Sequence, residues 1–231
     1  HVTTVCNATA GLTLALQAAG AKPGTACAVP SYTFPATPAA VIAAGLHPVF
    51  VDIERDTLEL SPAAVAEVVD KAGIELGAVM PVSAFGAPVA TAHWREFQEQ
   101  AGVPVVIDAA WCFGDLEPGP LPQVISLHAT KVFGVGEGGV VVSTDADLVH
   151  AIQLRSNFGF TPEREVLVPG VNAKLSEYAA AVGQAGLDAW PQRRRRLEAV
   201  HAAYVDALAP MPGVTPFPPA DASWVSATVA V

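Results

Sequence analysis

Val103-Pro104-Val105-Val106-Ile107-Asp108 is an unbroken apolar run that ends on a carboxylate. A strand with one wet face alternates apolar and polar residues, so a continuous run of this length reads as a strand buried on both faces. Such strands belong to parallel sheets covered by helices on each side, and their ligands bind beyond the carboxyl ends of the strands. Asp108 stands at that end.

Outward from this run, short β-rich stretches alternate with longer helical ones. Further strands are predicted at Ala26–Pro30, 48–53, 78–82, 124–128 and 139–143. Helices are predicted over 9–19, where Leu12, Leu16 and Ala19 share a face, and over 34–44, 62–71, 90–101 and 146–156. Ser61 before Pro62, and Asp145 before Ala146, are suited to cap two of these helices: their side-chain oxygens accept from free first-turn N–H groups. The order β, α, β, α predicts a three-layer α/β/α domain with a mainly parallel central sheet. After a loop at 162–169 the pattern changes to two long helices, 176–189 and 191–208, then a proline-rich stretch at 210–219 and a strand-like stretch at 223–231. We therefore expect a large domain over residues 1–189. Residues 190–231 are expected to form a linking helix and the start of a smaller, incomplete C-terminal domain.

Composition narrows the function. The 231 residues are 52% hydrophobic and 15% charged, enough apolar material for a sizeable core and too little charge for a disordered chain. No stretch approaches the ~18 uninterrupted apolar residues of a membrane span. A net charge of −10 suits neither nucleic acid nor an anionic membrane surface, and Arg193-Arg194-Arg195-Arg196 reads as a solvated or interface segment of a helix. Three widely spaced cysteines, Cys6, Cys27 and Cys112, offer neither a disulfide framework nor a zinc site, which fits a reducing, cytoplasmic compartment. The histidines lack metal-ligand spacing, so no metal is expected. The chain opens on His1, not Met, and further residues are expected before it.

Three places can carry chemistry. Asn7-Ala8-Thr9-Ala10-Gly11 opens a helix with small residues, where free N–H groups and the helix dipole favour a phosphate; an ordinary helix cap at Asn7 or Thr9 explains it equally well. Asp108, followed by Ala109-Ala110-Trp111, places a carboxylate at the mouth of the sheet or caps the next turn. Ser126-Leu127-His128-Ala129-Thr130-Lys131 leaves a buried strand and enters Gly134-Val135-Gly136-Glu137-Gly138-Gly139. A lysine so placed can lose its proton through desolvation and act as an amine nucleophile, or be a plain loop lysine. The glycine run is not a dinucleotide fingerprint, since Gly136-x-Gly138 lacks the third glycine at the required spacing.

Taken together, these segments resemble the fold-type I enzymes that use pyridoxal 5′-phosphate (PLP), and among them the DegT/DnrJ/EryC1/StrS sugar aminotransferases. The matching stretches are Asn7-Ala8-Thr9-Ala10-Gly11-Leu12, Pro30-Ser31-Tyr32-Thr33-Phe34-Pro35-Ala36-Thr37, Pro48-Val49-Phe50-Val51-Asp52-Ile53, Phe85-Gly86-Ala87-Pro88, Ile107-Asp108-Ala109-Ala110, Ser126-x-His128-x-x-Lys131 and Gly136-Glu137-Gly138-Gly139, in the family's order. The resemblance implies PLP carried covalently, as an aldimine, on Lys131. It implies Asp108 at the pyridine nitrogen, Thr9, Ala10 and Ser126 at the phosphate, and Phe34 stacked on the ring. Trp111 stands near the phenolic oxygen, where many members carry Gln or His. Asn172 corresponds to a segment that reaches the phosphate of a neighbouring subunit, which implies a homodimer with a shared active site; Lys174 stands beside it where the family usually has Arg. The reaction implied moves an amino group from glutamate to a nucleotide-linked keto-sugar. A relative acting on a cyclitol or another cyclic ketone, and a PLP-binding regulatory member without turnover, carry the same segments.

Overall fold

A computed structural model of the chain describes residues 1–219 and 221–231. Seven strands and six α-helices are found among them: β1 (Val2–Val5), α1 (Ala8–Ala18), β2 (Ala26–Pro30), α2 (Ala36–Ala43), β3 (His47–Val51), α3 (Pro62–Ala72), β4 (Leu76–Val79), α4 (Thr91–Ala101), β5 (Ile107–Asp108), β6 (Gln123–Ser126), β7 (Gly139–Val142), α5 (Ala146–Ser156) and α6 (Glu177–Leu208). β3, β2 and β4 pair in parallel, as do β5 and β6, while β7 runs antiparallel to both β6 and β1. Parallel bridges Val79–Val105 and Val82–Asp108 join the two groups edge to edge. The strand order is thus β3-β2-β4-β5-β6-β7-β1, and β7 alone is reversed.

The expected burial on both faces is what β2, β4, β5 and β6 show, whereas β1 and β3, at the sheet edges, are partly exposed. Cys27, Val29, Met80, Val106, Val124 and Val141 point into one core with Leu12, Leu16, Val41 and Ile152, beneath α1, α2 and α5. Their chain neighbours Ala28, Val79, Val105, Ile107 and Ile125 point into the other with Val65 and Trp94, beneath α3 and α4. Alternate strand residues therefore feed opposite layers, which gives the three-layer arrangement. Ser61 and Asp145 cap as anticipated: Ala64 N–H donates to Ser61 Oγ at 3.3 Å, and Leu148 N–H to Asp145 Oδ1 at 3.0 Å.

Four features depart from the sequence expectation. The strand expected over 104–108 is reduced to Ile107–Asp108, with Val105 in an isolated bridge to Val79. β1 is an additional strand; it is short, lies beyond the six apolar runs and draws its pairing from distant β7. The two helices predicted on either side of Trp190 are one, α6, with Pro191 inside it. A proline there removes one backbone hydrogen bond but does not end the helix. Trp190 packs edge-on against Phe113 and Phe133, with ring centroids 4.9 and 5.9 Å away, and anchors the chain across that point. The stretch 223–231 forms a single antiparallel bridge, Phe217–Ala230, and no strand. The division expected at residues 189 and 190 lies within α6.

Candidate active site

The carboxyl ends of β2, β4, β5 and β6 open on one side of the sheet, and the start of reversed β7 joins them there. A cavity of about 660 Å³ occupies this edge. Each wall is the continuation of an element: Tyr32, Thr33 and Phe34 follow β2, Val82 to Phe85 follow β4, Asp108 to Trp111 end β5, Ser126 to Lys131 end β6, and Asn7 to Thr9 begin α1.

Asp108 forms the floor, only 4% exposed. Its Oδ2 accepts from Thr37 Oγ1 at 2.7 Å, its Oδ1 from Ala110 N–H at 3.2 Å, and Thr33 lies behind, 2.7 Å from Thr37, hydroxyl to hydroxyl. Burial pushes this carboxyl above the usual carboxylate range, while the Thr37 hydroxyl, the Ala110 N–H and the Lys131 charge pull it back down. Thr37 is fully buried in α2, among Ala40 and Val41, and no role was read for it in the sequence. The available signal was a lone hydroxyl on the inner face of an apolar helix.

Lys131 faces the same cavity. Its backbone is fixed by a tight turn, with Lys131 N–H donating to His128 C=O at 2.9 Å. The turn requires glycine at 134, because an added Cβ would lie 2.8 Å from both Ala129 Cα and His128 O. Burial draws the Lys131 amine down to about 8, against the upward pull of Asp108. Each of the two groups therefore lies within the other's field, as a pair sharing one site requires. Nζ sits 3.6 Å from the centroid of the Trp111 ring.

At the other end stands the N-terminus of α1. Asn7 Oδ1 caps it by accepting from Ala10 N–H at 2.8 Å. Ala10 N–H is thus engaged, which leaves those of Ala8 and Thr9 to an incoming anion. Gly139 lets β7 press against this helix start: a Cβ there would meet Ala8 N, Asn7 C and Val5 Cγ2, each at 2.9 Å. Ser126 Oγ lines the same end and accepts from His128 N–H at 3.2 Å. His128 holds Thr130 Oγ1 at 2.8 Å through Nδ1 and lies 3.5 Å from Glu137 Oε1 through Nε2, so it braces the lysine turn.

Of the residues singled out in the sequence, Thr9, Phe34, Asp108, Trp111, Ser126 and Lys131 line the cavity. Phe34 stands at its mouth, 73% exposed. Asn172 is exposed and outside it, its Oδ1 accepting from Lys174 Nζ at 2.7 Å. Tyr32, Phe85 and Glu137 also line it, and Phe85 holds left-handed backbone at φ 49°. Among the described residues no helix is long and apolar enough to cross a membrane, and no group of side chains has the makings of a metal site.

Several solved structures share this fold. A putative PLP-dependent aminotransferase from Bacillus cereus ATCC 10987 is 36% identical, with a TM-score of 0.83 over 92% of this chain and 59% of its own. DesI, solved in the presence of its TDP-sugar product, is 39% identical with a TM-score of 0.81 over 98% of this chain and 58% of its own. DesV from S. venezuelae is 29% identical with a TM-score of 0.85 over 98% of this chain and 62% of its own. The chain thus spans about three fifths of the length of each. The sequence pattern of one aminotransferase family matches residues 1–231 throughout. This chain belongs to the DegT/DnrJ/EryC1/StrS aminotransferase family.

Proposed function

We propose that the protein is a PLP-dependent aminotransferase that exchanges the amino group of glutamate for the ketone oxygen of a nucleotide-linked sugar. The observation that carries this reading is the pairing of a buried carboxylate with a desolvated lysine across one cavity whose far end is a helix N-terminus. This donor set fits PLP: an acceptor for a protonated ring nitrogen, an amine for an aldehyde, and free N–H groups for a phosphate. When bound, PLP supplies a cationic ring that draws electrons from the carbon beside its nitrogen link.

The chain's own residues do the rest. Asp108 would hold the ring N–H, while Thr37 and Ala110 aim its carboxylate and favour its ionised form against burial. Thr9 and Ser126 would bind the phosphate as the sequence resemblance implies, with the Ala8 N–H taking the place expected of Ala10, whose own N–H is held by Asn7. Phe34 covers the ring from the cavity mouth. Lys131 would hold the cofactor through Nζ and would accept and return a proton at that atom, a task suited to an amine whose proton leaves near neutral pH. Residues 1–189 serve as the cofactor-binding domain in this reading, and 190–231 as the linking helix and the start of a smaller one.

In this reading a second copy of the chain completes the site, and that copy's cofactor phosphate would be reached by Asn172. Around it Val166, Leu167, Val171 and Tyr178 are 61%, 62%, 52% and 81% exposed, an apolar border of the kind that an interface covers. DesI, with its TDP-sugar product, favours a nucleotide-sugar substrate over a cyclitol.

Titration with PLP is expected to turn the protein yellow. Glutamate is expected to bleach that colour, and a keto-sugar nucleotide to restore it. Only the unprotonated amine attacks the aldehyde, so the rate of colour formation rises as pH climbs through about 8 and then levels. A protein that takes up PLP but keeps its colour with glutamate is a binder without turnover.

A further inference from the structure

Trp111 follows β5 by three residues and faces the cavity. Its indole lies 3.6 Å from Lys131 Nζ, measured to the ring centroid, well inside the ~6 Å reach of a cation–π contact. An indole offers one N–H donor and no acceptor. It therefore attracts the amine through its face and only while the amine is charged, because the ring quadrupole acts on a cation. A hydrogen-bonding side chain at this place would instead hold the amine in either protonation state.

We propose that Trp111 is a positioning residue whose indole face parks the Lys131 ammonium on the cavity floor and releases the amine once its proton is lost. The geometry supplies the waiting half of this cycle. Lys131 is fixed at its backbone by the His128 turn, so its side chain pivots about a set point. The other charged or titratable groups around it are Asp108 from β5, Tyr32 after β2, His128 after β6 and Glu137 of the glycine-rich turn, which share its cavity, and Arg193 of α6, whose Nη2 donates to the Lys131 backbone oxygen at 3.4 Å. Asp108 attracts the ammonium along the cavity floor, while the ring decides where the ammonium waits.

The relevance to catalysis rests on Lys131 being the PLP-binding amine, but the test does not use PLP. The full chain contains four lysines, Lys22, Lys71, Lys131 and Lys174. Reductive methylation with isotopically labelled formaldehyde gives each a distinct NMR signal, and Lys131→Ala assigns the one of interest. The methyl protons on Lys131 are expected upfield of the other three, shifted by the ring current, and this displacement disappears in Trp111→Leu. The apparent pKa of Lys131 falls by roughly half to one unit in Trp111→Leu, with Trp111→Phe between the two. Lys131 methyl protons that resonate with those of Lys22, Lys71 and Lys174, or a Lys131 pKa unchanged by Trp111→Leu, overturn the proposal. Should Trp111→Leu lose its fold, the upfield shift in the unaltered chain and the Trp111→Phe titration decide the matter. A normal titration in a chain that captures no PLP on Lys131 refutes the cofactor reading and leaves the indole contact standing.

Discussion

Strands β2, β5 and β6 lose nearly all contact with solvent, whereas along the 32 residues of α6 only Ala179 is buried. The sheet is held by area: β2, β4, β6 and β7 feed apolar side chains into two cores at once. The helix is held by points. Ala179 sits beside Leu127, Phe133 and Val135, Trp190 closes on Phe113 and Phe133, and Arg194 Nη1 meets Asp115 at 2.8 Å while its Nη2 donates to Ser223 C=O at 3.2 Å. The cavity grows from the first kind of structure, since its walls are strand ends. A site that must hold a carboxylate and an amine at fixed separation is best served by backbone that cannot move independently.

The contrast is strongest in stability. Leu12, 1% exposed and central to the core under α1, is expected to cost about 2–5 kcal/mol when truncated to Ala, read by denaturant melts. Next in size, Gly139→Ala forces a methyl into the backbone of Asn7 and Ala8 and should cost about 1–3 kcal/mol. It also shifts the start of α1, so PLP affinity falls along with stability; unchanged affinity would separate the helix start from phosphate binding. Asp115→Ala removes the partner of Arg194 and the acceptor of Val225 N–H, and should cost about 1 kcal/mol while hydrogen exchange quickens at Val225 far more than at Val106. Tyr204→Ala, on an exposed stretch of α6, should stay within about 0.5 kcal/mol. A loss at Tyr204 equal to that at Leu12 would mean that α6 is packed in solution as the sheet is.

What was legible in the sequence follows the same division. Runs such as Val105-Val106-Ile107 announce a buried sheet segment, of which Ile107–Asp108 forms β5 and Val105 an isolated bridge, because burial on both faces leaves a pattern that needs no knowledge of the partner. Ser61 and Asp145 announced helix starts because a cap acts within three residues. α6 was divided at Pro191 because the force that overrides the proline comes from Phe113 and Phe133, far away in the chain. β1 was hidden for a like reason, its partner β7 lying more than a hundred residues on. In the site, Asp108 and Lys131 stood out as charges at the ends of apolar runs. Thr37 did not, because a hydroxyl in a helix acquires meaning only when the fold sets it 2.7 Å from a carboxylate.

The pairing of Lys131 and Asp108 across one cofactor site is tested most directly by trapping. The protein is incubated with PLP, reduced with borohydride and digested, and the peptide carrying the pyridoxyl mass is identified. The modification is expected on Lys131 alone, and with Asp108→Asn it should form more slowly. Pyridoxyl distributed over Lys22, Lys71 and Lys174, or absent altogether, would contradict the proposed site.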